Sequence, residues 1–475
     1  MRKGILSLLM ICASFISLQA QDNHDDFKSY RENVLSGFKG FRKSIIEDYA
    51  KFLNGVWEEY KALKGDDVYP LPKPKNRPEK KKEEPVPKPR EIVPEEIKPT
   101  EPLSPNKPIP SKPVMVVPSG MLTFDWCGIS MKLPDAEIQD NLRGIEKEDL
   151  LTYLETLDKS RIRKDILPQI ATIANASNFN DWCLCLLIQS YVKKMKASAD
   201  SNTRNFICWY MMIQFGFDIR LTINGKRLFY LIPFKQKVYA HNYILIHDTP
   251  YYIWGDGTPD EKAGVITPPM PDDAGEYVNL VITRSLDIPY NGKRFSRSFL
   301  GRTLSGEVNE NLIKIMAKFP QMSIPAYVIS KGDEKTRQQV LTQMKQFVSG
   351  MSELEAANFL LQFVQSFDYA TDDEQFGYEK PFFIEETLFY PKCDCEDRAI
   401  FYHFLVSNLL GNDVHLVHYP NHECNAVNFS LKLDADYYTY KGKQYVICDP
   451  TYVGASIGMC MPNYRNTKPE IEFVK

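Results

Sequence analysis

The sequence predicts an α+β fold in which helices pack on antiparallel sheet, and three observations carry that prediction. The chain has 475 residues, too many for one hydrophobic core, so two or more domains are expected. "RNFICWYMMIQFGFDIRLTINGKRLFYLI" reads as a buried helix ending near Gly216, followed by a hairpin turning at Asn224-Gly225. The same order returns later. A long apolar run from Ala399 to Leu410 closes at Gly411, and "VHLVHYP", "NAVNFSLKL" and "KQYVICDPT" then read as strands, the last after a turn at Lys441-Gly442.

The elements are read in chain order. "MRKGILSLLMICASFISLQA" joins a basic start to an apolar run from Ile5 to Ile16 and a small residue at Ala20. Residues 1–20 therefore read as a secretory signal peptide, and no later transmembrane run follows. The expectation is an exported, soluble, periplasmic or extracellular protein without an integral membrane span. Residues 21–65 form an amphipathic helical segment, with Phe27, Tyr30, Val34, Phe38, Phe41, Ile45, Tyr49 and Phe52 at spacings of three and four. It would dock on its own protein or on a protein partner. Residues 66–118 hold fifteen of the 32 prolines, interleaved with Lys and Glu, and read as a disordered linker with polyproline bias. At ~3.1 Å per residue such a spacer reaches on the order of 100 Å.

Globular sequence resumes as an α+β domain over 119–305, followed by a second over 306–475. Ser352 and Glu355 form a capping box ahead of "AANFLLQFVQSF". The net charge of −3 offers no electrostatic reason for nucleic acid as a partner. Setting aside Cys12 in the signal, nine of the ten cysteines remain, an odd number that leaves at least one thiol unpaired. Cys183, Cys185 and Cys208 lie in apolar runs and read as core residues. Four ligands at zinc spacing are not evident, so no metal and no cofactor is expected.

One stretch carries chemistry: "FYPKCDCEDRAIFYHFLVSNLLG", Phe389 to Gly411. Cys395 stands where loop becomes helix, and the positive end of the helix dipole favours a thiolate there. Glu396 and Asp397 oppose the thiolate if they point at the sulfur, so a cationic partner is needed. Among the histidines, His403 falls inside the apolar helix, the usual place of a core histidine. His415 and His418 point to opposite faces of "VHLVHY" and cannot share a metal. His422 opens the next strand, whose residues 422, 424, 426 and 428 share one face. Asp449 ends "QYVICDPT". A thiol on a helix, a base on one strand and a carboxylate on its neighbour form a workable triad.

With those residues in place, the last 120 residues or so resemble the transglutaminase-like family of bacterial exported proteins. The resemblance rests on "GYEKPFFIEETLFYPKCDCEDRAIFYHFLVSNLLG", "HYPNHECNAVNF" and "YVICDPTYVGASIGMCMP". It implies a papain-like fold with Cys395 as nucleophile, His422 as base and Asp449 as the orienting carboxylate. It implies an enzyme that opens an amide or peptide bond through a thioester, which passes to water or to an amine. The oxyanion hole would use the Cys395 backbone N–H, with Gln375 or Tyr390 as a second donor. Cys393 and Asn425 depart from the family pattern. The rival reading is a non-catalytic scaffold that uses the fold as a binding platform.

"RNFICWYMMIQFGFDIRL" also parallels "RAIFYHFLVSNLLGNDVHL", with Asp200 or Ser201 where Cys395 stands. The middle domain is either a degenerate copy of the same fold or an unrelated domain with ordinary helix–glycine–strand punctuation.

Overall fold

The computed structural model describes residues 120–260, 262–267 and 275–474, and the backbone of two short strands at 68–69 and 96–98. The stretches expected to form a signal peptide, an amphipathic segment over 21–65 and the rest of a linker lie outside the described residues. The two strands, β1 (Val68–Tyr69) and β2 (Glu96–Lys98), fall inside the stretch expected to be disordered spacer. There the backbone is paired: β1 borders one sheet and β2 another.

The first half opens with a hairpin of β3 (Met121–Trp126) and β4 (Ile129–Pro134). Trp126 is fully buried and stacks on Phe179 at 4.4 Å. Helices α1 (Lys147–Lys159), α2 (Leu167–Ala176), α3 (Asp181–Met195) and α4 (Ser201–Gln214) follow. Asn180 and Asp200 cap α3 and α4, accepting from the N–H groups of Cys183 and Thr203. Past α4, Gly216 takes a φ of 88°, the left-handed conformation that glycine adopts without strain. Strands β5 (Arg220–Asn224), β6 (Arg227–Pro233), β7 (Tyr243–Ile246), β8 (Thr249–Trp254) and β9 (Val265–Ile266) form a sheet in the order β1-β7-β8-β6-β5-β9. The hairpin of β5 and β6 turns through Gly225, at a φ of 62°.

The boundary expected at 305 falls within a hairpin of β10 (Gly292–Phe299) and β11 (Arg302–Asn309). Helices α5 (Glu310–Met316), α6 (Ile324–Ile329), α7 (Glu334–Phe347) and α8 (Glu353–Gln365) come next. The Ser352–Glu355 capping box is formed. An excursion then holds β12 (Asp368–Tyr369), α9 (Asp372–Phe376), α10 (Ile384–Phe389) and β13 (Lys392–Cys393). Helix α11 (Cys395–Leu409) follows and stops before Gly411, at a φ of 73°. Its residues 395–406 are all buried, as expected for a helix without a polar face. The chain ends with β14 (Asp413–Tyr419), β15 (His422–Asn428), β16 (Tyr437–Tyr440), β17 (Lys443–Cys448) and β18 (Glu470–Phe473), in the order β16-β17-β15-β14-β18-β2.

Set aside β1 and β2, and the two sheets have one topology. Numbering each set of five strands in chain order, both read third, fourth, second, first, fifth, with every neighbour antiparallel. A buried helix closed by a left-handed glycine precedes each. The fourth residue of each helix is an arginine that holds carbonyls of the chain near the end of the preceding long helix: Arg204 bonds Lys196 O and Ala199 O, and Arg398 bonds Phe367 O. Each also reaches the residue two past the end of the fourth strand, Asp256 and Pro450. Ser201, Arg227 and Gly255 occupy the positions of Cys395, His422 and Asp449. The mixed α and β architecture is thus as the sequence predicts. Among the described residues, no helix is long and apolar enough to cross a membrane.

Candidate active site

Cys395 is the first residue of α11. The N-cap, Asp394, is extended, and its N–H donates to Asp397 Oδ2 at 3.0 Å. Asp397 Oδ1 accepts from Phe382 N at 2.8 Å, which ties the helix start to the chain ahead of α10. Cys395 Sγ donates to Glu396 Oε2 at 3.1 Å, so the first-turn acid does point at the sulfur.

His422 opens β15 opposite Tyr419, across a turn where Asn421 takes a φ of 62°. Its Nε2 lies 2.8 Å from Asp449 Oδ2. The other carboxylate oxygen, Oδ1, accepts from the N–H groups of Thr451 at 2.9 Å and Tyr452 at 3.1 Å. Gln365, buried at the end of α8, donates to the carbonyls of Asp449 and Ala455 and accepts from Gly454 N. The carboxylate is therefore held by the backbone that follows it, and the Asp449 main chain by the neighbouring helix. His422 Nδ1 is closed to solvent and has no hydrogen-bond partner.

Helix and strand open at the same end. Asn425 Nδ2 donates to Ala399 O, one turn into α11, and Asn412, just past the helix, donates to Asn428 O at the end of β15. The two elements thus run the same way, and Cys395 and His422 begin them. The Asn425 face of β15 meets the helix; alternation turns His422 and Cys424 to the other face. Tyr464 covers His422 there, its ring stacked at 5.0 Å and 11°. Burial first, and then the charges of Cys395, Asp449 and Cys424, push the Tyr464 phenol up to about 12. Cys395, His422 and Asp449 are 3%, 2% and 2% exposed. The site is shut.

The two oxyanion candidates lie on the excursion before α11. Gln375, on α9, donates through Nε2 to Lys392 O at 3.5 Å. Tyr390 packs against Phe376 and Phe382 and beneath the Lys380 ammonium, which is bound to Glu386. Cys393 is buried, and burial pushes its thiol up to about 12, with Arg398 opposing. Asn425, the family departure, is fully buried and used by the helix contact.

The described histidines separate as their positions suggested. His403 is buried, bonds Ser407 Oγ, and has its pKa driven down to about 4 by burial. His415 stacks on Tyr445, and His418 pairs with Glu423. All nine described cysteines are free thiols. Sequence reasoning missed Tyr464 and Gln365, which come from segments remote in the chain and carry no motif; it set Cys424 on the His422 face but gave it no role. Among the described residues, two side-chain groups could hold an ion: His422 with Cys424 and Asp449, and Asp372 with Asp394 and Glu396.

No family model matches the chain, and no curated protein matches it.

Proposed function

We propose that the protein is an exported cysteine enzyme of transglutaminase-like, papain-like design that opens amide bonds in a protein or peptide. The observation that carries this reading is the buried His422–Asp449 pair, with Asp449 Oδ1 anchored by two backbone N–H groups. An imidazole so oriented through Nε2 keeps Nδ1 as the free base. In the reaction, the Cys395 proton passes to His422, the sulfur bonds the carbonyl carbon, and the C–N bond breaks as the amine takes the proton back. The thioester then yields its acyl group to water or to a second amine. The Cys395 N–H faces the oxyanion, with Gln375 as second donor.

Closure of the site favours a second reading, a scaffold that binds without catalysis. One experiment separates them. The native chain is treated with a peptidyl vinyl sulfone and the modified residue is identified by mass spectrometry. The enzyme reading expects one adduct, on Cys395, lost in Cys395→Ala and kept in Cys393→Ala, with labelling slowed at least tenfold in Asp449→Asn. A native chain that stays unmodified while the denatured chain reacts supports the scaffold, and an adduct on Cys393 overturns the assignment.

A further inference from the structure

We propose that His422, Cys424 and Asp449 form a binding site for a zinc ion. His422 and Cys424 are two apart on β15 and share a face, and the register that pairs Asn425 with Cys448 sets Asp449 beside Cys424. Their ligand atoms lie within 4.8 Å of one another, and all three residues are buried. A tetrahedral zinc ion with bonds of about 2.0–2.3 Å holds its ligand atoms roughly 3.4–3.6 Å apart, so small side-chain rotations close the set. The His422 nitrogen that faces this space is Nε2, 2.8 Å from Asp449 Oδ2, and the Cys424 thiol on the same strand face completes the set. Keeping ionisable groups in a closed space costs free energy that a bound cation offsets.

The donors select the ion. One imidazole, one thiolate and one carboxylate suit zinc and disfavour calcium and magnesium, which take oxygen. The thiol loses its proton on binding, and thiolate plus carboxylate then balance the dication, leaving no net charge in a closed space. The outer support is in place, because the second Asp449 oxygen already accepts two backbone N–H groups. Three protein ligands leave the fourth position for a water molecule. The consequence for activity rests on the proposed reaction: an imidazole held on zinc cannot take the Cys395 proton, so the ion is a reversible brake. The binding itself does not rest on it.

Cobalt(II) reports the site directly. The full chain, equilibrated with Co²⁺, is expected to take one ion and develop a thiolate-to-cobalt charge-transfer band that one equivalent of Zn²⁺ abolishes. The band is lost in Cys424→Ala and retained in Cys395→Ala and Cys393→Ala. Asp449→Asn, nearly isosteric, is expected to weaken zinc at least tenfold, and zinc should raise the thermal midpoint of the wild type but not of Cys424→Ala. Absence of the band in the wild type, its survival in Cys424→Ala, or its loss in Cys395→Ala overturns the proposal. Vinyl sulfone labelling of Cys395 in metal-free protein reports on the enzyme reading alone, so the two can fail separately.

Discussion

Glu396 defines the resting condition of Cys395. A carboxylate 3.1 Å from the sulfur accepts the thiol proton and repels a thiolate. Glu396→Gln removes the charge and keeps the size, so alkylation of Cys395 at neutral pH should quicken, by about tenfold if the repulsion is worth ~1.4 kcal/mol. An unchanged or slower rate would show that the contact is not felt. His403 gives a second residue-scale test. Burial holds it neutral to about pH 4, whereas the unfolded chain protonates it near 6.5. Within that window the unfolded state binds the extra proton, so the native state gains stability as pH rises. Wild type should lose ~1.4 kcal/mol per pH unit more than His403→Gln on acidification from 6.5 to 4, read by urea unfolding.

At the scale of elements, the excursion between α8 and α11 is held by charge inside the protein. Arg337 on α7 forms a two-pronged pair with Glu385 on α10, at 2.7 and 3.2 Å, and Glu385 is fully buried. Removing one partner strands a buried charge. Arg337→Met should cost about 3–5 kcal/mol in urea unfolding, and adding Glu385→Leu should recover most of it. If the single and double variants are equally unstable, packing rather than charge explains the loss. In the first half, residues 196–200 alone join α3 to α4, where the second half inserts the whole excursion. That insertion carries Gln375 and Tyr390 and ends on Asp394, the N-cap of α11.

Across the molecule, the two sheets of equal topology are sewn together by the chain between α5 and α7. Trp182 Nε1 donates to Lys318 O, Tyr239 N to Gln321 O, Ser323 N to Lys237 O, and Lys331 N to Ile282 O. Such bonds need both halves folded. Calorimetry should therefore show one transition for residues 120–474, with calorimetric and van't Hoff enthalpies in a ratio of about 1. Two resolved transitions would mean that the halves are independent. The shared strand order, and Arg204 and Arg398 in matching places, support a duplicated fold whose first copy carries Ser201, Arg227 and Gly255 at the three site positions.

By itself the sequence determined the local structure: the α+β pattern, the glycine stops at Gly216 and Gly411, the Ser352 capping box and the turn at Gly225. Each depends on residues within one or two turns of one another, where backbone preference and apolar period act directly. The opposed faces of His415 and His418 were readable for the same reason. Only the tertiary structure decided which nitrogen of His422 meets Asp449, that Tyr464 lies over the ring, that Asp449 stands beside Cys424, and that the stretch expected to be a linker lends strands to two sheets. Those contacts join segments tens to hundreds of residues apart. Their geometry follows from strand register and helix direction, which no local pattern encodes.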